Sequence, residues 1–292
     1  MENLAETQND NAVESSLPLD EQAIQNIQPP QPEPPPRPKV AIVTPTIGSK
    51  YLGYCLESVK RQTYENIIHY IFIDGVEYLD KVQQTLVQVG GLNNVKRILL
   101  EDNVGKGWYG HRSYAASAFL VNADIICYLD EDNMYDKNHI EDLVKKIEEG
   151  YDWAYSLRTI HGSEGHFICE DNCESLCEYP IHTLEPQQFH IDTSCLAIKR
   201  SVAVQVSHTW YNQWGADRKF GYVLRQYFPN FAGTTNYSLM YRLDSAAEEN
   251  PSFHSHDGNQ SNAVGKDFFL HGNNIMYQKY GANFPWRKTK QK

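Results

Sequence analysis

Two rhythms of apolar and polar positions alternate along the chain. Val40-Ala41-Ile42-Val43-Thr44-Pro45 is a continuous apolar run closed by a proline, and Ile67–Ile73 is a second, β-branched run that ends at Asp74-Gly75. Both predict buried strands. Shorter strands are predicted over Val95–Leu100 and Asp124–Leu129. Between them the apolar residues take helical spacing. Leu52, Cys55, Leu56 and Val59 follow a candidate cap at Ser49. A helix is predicted over Leu79–Val89 and another over Arg112–Val121, whose Ala115, Ala116 and Ala118 suit close packing on a sheet. Ile140, Leu143, Val144 and Ile147 form one face of a helix that begins near Asp136 and stops at Gly150. Glu101–Gly110, polar and glycine-rich, reads as a loop.

Uninterrupted apolar strands alternating with amphipathic helices predict an α/β fold with a mostly parallel central sheet flanked by helices. Ligands of such sheets bind at the carboxyl ends of the strands. Thr44-Pro45-Thr46, Asp74 and Asp130-Glu131-Asp132-Asn133 all stand there. Beyond residue 150 the alternation weakens. Trp153–Ile160, Phe189–Ile198 and Tyr237–Leu243 predict strands, and Arg218–Tyr227 predicts a helix opening after Asp217. Between the first two lies an irregular stretch, His161–Thr183, rich in Gly, Cys, His and acids. The sequence shows no internal repeat.

Composition changes the picture at the N-terminus. Residues 1–38 hold eight of the fourteen prolines, seven acids against Arg37 alone, and no aromatic residue. Such a segment buries too little apolar surface to offset its ordering entropy and is predicted to be disordered, its Pro-rich end a polyproline II spacer. The folded domain is predicted over 39–292, with 39–135 as a ligand-binding half and 136–292 as a second half. Over all 292 residues the formal charge is −11, which argues against a nucleic-acid binder working through a basic face. Apolar runs such as Ile125–Leu129 fall far short of a bilayer span. The N-terminus lacks a basic start and an apolar core, so a cytoplasmic location and reduced cysteines are expected, and the sequons at Asn236 and Asn259 carry little weight.

The sharpest chemical signal is Asp130-Glu131-Asp132. Two carboxylates spaced by one residue after an apolar strand can share a hard divalent cation, which takes oxygen ligands and leaves positions for phosphate oxygens. A solvated turn capping the following helix is the plainer reading. Cys169, Cys173 and Cys177, spaced by four with His161, His166 and His182 nearby, lack a Cys-x-x-Cys pattern. They fit one face of a short helix better than a zinc site.

Several blocks in fixed order resemble family 2 glycosyltransferases: Pro38–Thr46, Leu56-Glu57-Ser58-Val59-Lys60-Arg61-Gln62-Thr63-Tyr64, and Ile73-Asp74-Gly75. Asn103-Val104-Gly105, Arg112-Ser113-Tyr114-Ala115 and Ile126–Asn133 continue the order. The resemblance covers about residues 38–150. It implies a GT-A fold, one α/β domain taking a nucleoside-diphosphate sugar in its first half and a glycan, lipid-linked or protein-linked acceptor in its second. Carried over by position, Thr44, Pro45 and Thr46 lie against the nucleoside and Asp74 bonds the base. Lys106 and Arg112 contact the base or diphosphate, Asp130 and Glu131 border the donor, and Asp130 and Asp132 hold Mn²⁺ or Mg²⁺. His254 or His256 is a candidate further ligand. An inverting member also needs a general base. In Trp214-Gly215-Ala216-Asp217-Arg218, Ala216 stands where many relatives have an acid, leaving Asp217 as the base, or only a helix cap; Asp192 is its rival. Uridine is the default nucleotide.

Three rival readings are weaker. Haloacid-dehalogenase-type phosphatases also place Asp-x-Asp after a strand, but near the domain start and before a small residue, not before Asn133-Met134. Sugar-nucleotide pyrophosphorylases carry an early Gly-rich basic loop that is absent after Val43. A catalytically inactive interaction protein would not need the set Asp74, Asp130, Asp132 and Asp217.

Overall fold

The computed structural model describes residues 36–91, 93–106, 109–182, 189–212, 215–243, 245, 248 and 265–288. The chain divides into two units, Met1–Pro36 and Arg37–Lys292. The Pro-rich tail up to residue 35 lies outside the described residues. The second unit starts at Arg37, two residues earlier than the composition predicts. Its guanidinium pairs with Glu141 at 2.8 Å and Glu148 at 3.0 Å, and Asn66 donates to its carbonyl.

In chain order this unit contains β1 (Val40–Thr46), α1 (Leu52–Lys60), β2 (Ile67–Asp74), α2 (Leu79–Val89), β3 (Val95–Leu100), α3 (His111–Leu120), β4 (Ile125–Tyr128) and β5 (Met134–Tyr135). There follow α4 (His139–Glu148), β6 (Trp153–His161), β7 (Phe167–Glu170), β8 (Leu196–Lys199), α5 (Arg200–Val206), α6 (Ala216–Tyr227), β9 (Phe231–Arg242) and α7 (Lys266–Tyr280). They build a nine-stranded sheet in the order β3-β2-β1-β4-β8-β6-β9-β5, with β7 on the flank of β6. From β3 to β4 every pairing is parallel. Beyond β4 the sheet is mixed: β8 runs antiparallel to both neighbours, β6 and β9 run parallel, and β5 and β7 pair antiparallel.

Strand alternation places the core on both faces of the parallel part. Ile71 and Ile73 of β2 pack with Leu52 and Leu56 of α1 and Val82 of α2. Tyr70 and Phe72, pointing the other way, join the larger core that holds Tyr114 and Ala118 of α3. Each such side chain contributes about 1.5–3 kcal/mol by leaving water. The predicted face of α4 is buried as expected, and Gly150 follows with a positive φ of 102°.

Several local expectations are corrected. Ser49 is not the cap of α1. The helix opens after Tyr51, and the Ser49 hydroxyl instead accepts the Tyr51 N–H at 3.2 Å. Helix α4, predicted to begin near Asp136, begins at His139. Of the strand predicted over Phe189–Ile198 only the end from Leu196 is strand, because Asp192 turns the chain, its side chain accepting the Ser194 N–H of a 3-10 turn. The strand predicted from Tyr237 begins at Phe231. Cys169 lies on β7 and Cys177 has a positive φ of 54°, so the three cysteines share no helix. Among the described residues no helix is long and apolar enough to cross a membrane.

Candidate active site

A cavity of about 610 Å³ opens at the carboxyl ends of β1, β2 and β4 and continues between them and the second half of the unit. That size suits a small-molecule site. Its wall includes Pro45, Thr46, Asp74, Lys106, Asp130, Glu131, Asp132 and Asp217, eight of the residues the sequence points to. Two others are not on it. Thr44 is fully buried, its hydroxyl 2.9 Å from His69 Nε2, so it faces the core. The guanidinium of Arg112 lies over the Tyr211 ring at 5.7 Å. His254, His256 and Trp214 lie outside the described residues.

In the first half, carboxylates hold loops. Asp74 Oδ1 accepts the Val104 N–H at 2.8 Å and Oδ2 the Gly105 N–H at 2.7 Å, fixing the loop after β3 across the end of β2. Burial raises this carboxyl, although both N–H groups pull it down. Glu131 does the same for the loop after β1. It accepts from Thr46 Oγ1 at 2.5 Å, from the Ser49 N–H at 2.7 Å and from the Ile47 N–H at 3.2 Å. Its oxygens are therefore engaged beneath the turn, and it borders the cavity as a clasp.

Asp130 and Asp132 differ sharply. Asp130 accepts from Tyr114 Oη at 2.5 Å and from Ser194 Oγ at 3.2 Å. Among the described residues no neighbour donates to the carboxylate of Asp132, while Arg242 Nε holds its backbone carbonyl at 3.1 Å. Burial and then the adjacent Asp130 and Glu131 hold Asp132 well above the usual carboxylate range. A buried carboxylate whose donor is its own backbone N–H is, in such a field, a natural ligand for a hard cation, and Asp130 offers a second oxygen two residues away. The donor set therefore fits Mn²⁺ or Mg²⁺ completed by phosphate oxygens and water. Among the described residues there is no group of three or more His, Cys, Asp or Glu side chains arranged to hold a metal by itself.

The second half supplies a wall that the sequence reading does not anticipate. Arg158, only 2% exposed on β6, reaches Asp171 at 2.8 Å and also binds Glu174 and Asp192. Its guanidinium lies over the Tyr241 ring at 4.4 Å. Asp192 is thus committed to Arg158 and to the Ser194 N–H, which disqualifies it as a free base. Asp217 stands in the first turn of α6, after Gly215, which takes the cap position with φ 80°. Asp217 is therefore inside the helix and is not its cap. One oxygen accepts the Arg218 N–H at 2.8 Å, and the side chain stays 31% exposed toward the cavity. His190, Glu174, Tyr241 and Phe269 also line this side. The one signal that pointed to them is Arg158 itself, a charge in the middle of an apolar strand, which demands buried acids nearby.

Comparison with known proteins follows the same lines. The family model described as Glycosyl transferase family 2 matches residues 41–206. None of the curated proteins matches significantly in sequence. The crystal structure of S. aureus TarS 1-349 is similar with a TM-score of 0.50 at 15% identity, over 70% of this chain and 60% of that one. The same S. aureus fragment in complex with UDP-GlcNAc gives a TM-score of 0.50 at 13% identity, over 83% of this chain and 66% of that one. This chain spans about three fifths of the length of the first of these structures. At such identity the likeness is one of fold, an α/β domain with a sheet flanked by helices.

Proposed function

The chain belongs to glycosyl transferase family 2, and we propose that it is an inverting, metal-dependent transferase moving a sugar from a UDP-sugar to a hydroxyl of a glycan or other acceptor. The observation that carries this reading is that one cavity gathers Asp74, Asp130 and Asp132 from the first half and Asp217 from the second. The related fold was solved with UDP-GlcNAc, which makes uridine the first nucleotide to try.

Charge supports the metal. Seven carboxylates line the cavity against Lys106, Arg158 and Arg218, and Arg158 is already neutralised by its own acids. A nucleoside diphosphate entering that field is repelled unless a cation accompanies it. Asp132, with Asp130, would hold that cation. When bound, it supplies positive charge to the departing diphosphate. Lys106 stands on the same wall, near the Asp74 clasp that sets the loop around the base.

Transfer is a single displacement. Asp217 takes the proton of the acceptor hydroxyl as that oxygen attacks C1 of the sugar from the face opposite the diphosphate. The C1–O bond to the diphosphate breaks with its electron pair, and configuration at C1 inverts. Asp192 stays in its ion pair with Arg158 and shapes the floor.

Two measurements test this. Thermal unfolding is followed with UDP, GDP, dTDP or ADP, each with and without Mn²⁺, on the parent chain and on Asp132→Ala. One diphosphate is expected to raise the melting temperature only with Mn²⁺, and Asp132→Ala to lose that shift. Asp217→Asn is expected to bind the same nucleotide normally yet lose about 10²–10⁴-fold in transfer rate. Full activity in Asp217→Asn overturns the base assignment, and a metal-independent shift overturns the role of Asp132.

A further inference from the structure

The acceptor side of the cavity holds an imidazole beside Asp217. His190 is 7% exposed and its position is fixed by backbone: it forms a parallel bridge with Ser175, and its carbonyl accepts the Cys177 N–H at 2.8 Å. The next residue, Ile191, packs on α6 at Gly221, where a Cβ would lie 3.5 Å from Ile191 Cγ2. That close packing brings His190 Nε2 to 3.8 Å from Asp217 Oδ2. The other ring nitrogen, Nδ1, is buried with no hydrogen-bond partner among the described residues.

These facts select one tautomer. A proton on Nδ1 buries an unpaired donor and aims the Nε2 lone pair at a carboxylate. A proton on Nε2 leaves only an unpaired acceptor inside and directs an N–H at Asp217. Of the two tautomers, the one with its proton on Nε2 therefore fits this place. We infer that His190 is the positioning residue of Asp217, its Nε2–H holding Oδ2 while the Arg218 N–H holds Oδ1, so that the carboxylate plane is set toward the acceptor hydroxyl. The 3.8 Å gap closes when an acceptor enters, as hydrogen bonds of empty catalytic sites commonly do. The inference rests on the reading of Asp217 as base. His190 takes no proton itself: the acceptor O–H breaks, its proton goes to Asp217, and from there to water after the products leave.

The side chains of Gln and Asn separate this role from mere packing. The amide nitrogen of Gln reaches the place of Nε2, whereas that of Asn ends at the place of Nδ1. UDP release from UDP-GlcNAc with Mn²⁺, water serving as acceptor, is measured on the full chain. His190→Asn is expected to lose about tenfold in kcat with the donor KM unchanged, and His190→Gln to recover most of it. Equal rates for the two variants overturn the inference. If instead Asp217→Asn turns over at the parent rate, the base assignment itself fails, and the two failures are distinct. A second readout needs no substrate. Long-range ¹H–¹⁵N spectra of the parent chain should show His190 with its proton on Nε2, and Asp217→Leu should release that preference. A proton on Nδ1 in the parent overturns the inference.

Discussion

The two halves of the folded unit use buried carboxylates in opposite ways. In the first half Asp74 and Glu131 accept backbone N–H groups of neighbouring loops. The loops then depend on the carboxylates, while the parallel sheet beneath them does not. In the second half Asp171, Glu174 and Asp192 surround the guanidinium of Arg158 between β6 and the irregular segment after β7. There the polar network is the core. A carboxylate that clasps a loop can be lost at modest cost, but a buried charge that loses its partners leaves several others without compensation.

The largest effect follows directly. Arg158→Met leaves three acids buried without their cation and should remove about 3–5 kcal/mol of stability. Asp74→Asn keeps the shape of its clasp and should remove about 1 kcal/mol. Urea midpoints of both variants against the parent decide the matter. Equal losses would erase the distinction between clasp and core.

The same distinction explains how far the sequence could be read. Where the sheet is parallel and covered on both faces, apolar runs are continuous, and α2 and β3 fall residue for residue where the periodicity puts them. Asp74, Asp130 and Asp132 were legible because strand ends are. In the second half polar residues do the work of a core, so hydrophobic rhythm carries less. Asp192 interrupts what looks like one strand. Thr235, with a positive φ of 65°, marks the irregular start of β9, where its pairing to β6 shifts register. Helix α7 carries His271-Gly272-Asn273-Asn274, poor helix formers that packing retains. A Cβ on Gly272 would meet His182 at 2.5 Å and Cys173 Sγ at 2.8 Å. His190 was invisible because its place depends on those irregular turns.

Among the described residues each half also holds one fully buried histidine, and pH can weigh the two against each other. In β2, His69 Nε2 lies 2.9 Å from Thr44 Oγ1 and its Nδ1 has no partner among the described residues. At the start of α4, His139 Nδ1 lies 2.8 Å from Ser238 Oγ, its ring stacked on Tyr135, and its Nε2 has no partner among the described residues. Burial pushes each down to about 3. With the folded value below the unfolded one of about 6.5, the unfolded chain binds protons that the folded chain refuses. The stability these residues confer is complete above about pH 6.5 and is lost as pH falls toward 3. At pH 5 each should remove about 2 kcal/mol relative to pH 7.5. Asp130 and Asp132, raised by burial and by neighbouring acids, titrate with the opposite sign. The measure is therefore the difference in slope between parent and variant. His69→Gln and His139→Gln should each flatten the urea-midpoint profile by a similar amount. A slope that responds to only one would place acid sensitivity in a single half.

The smallest effects come from one chemical change made twice. Gly105 has no room: a Cβ there would lie 2.2 Å from Asp74 Oδ2. Gly215 has room, with nothing among the described residues within 4 Å, but its φ of 80° is left-handed. Gly105→Ala must push the loop off Asp74. It should remove about 1 kcal/mol, as Asp74→Asn does, and weaken the Mn²⁺-dependent shift with UDP. Gly215→Ala should cost about 1 kcal/mol of stability through backbone strain alone, and Gly215→Asn should recover part of that, because Asn tolerates the left-handed region. UDP binding should be untouched in both Gly215 variants. If Gly105→Ala instead destabilises the whole unit, Asp74 is part of the core after all, and the first half is held together in the same way as the second.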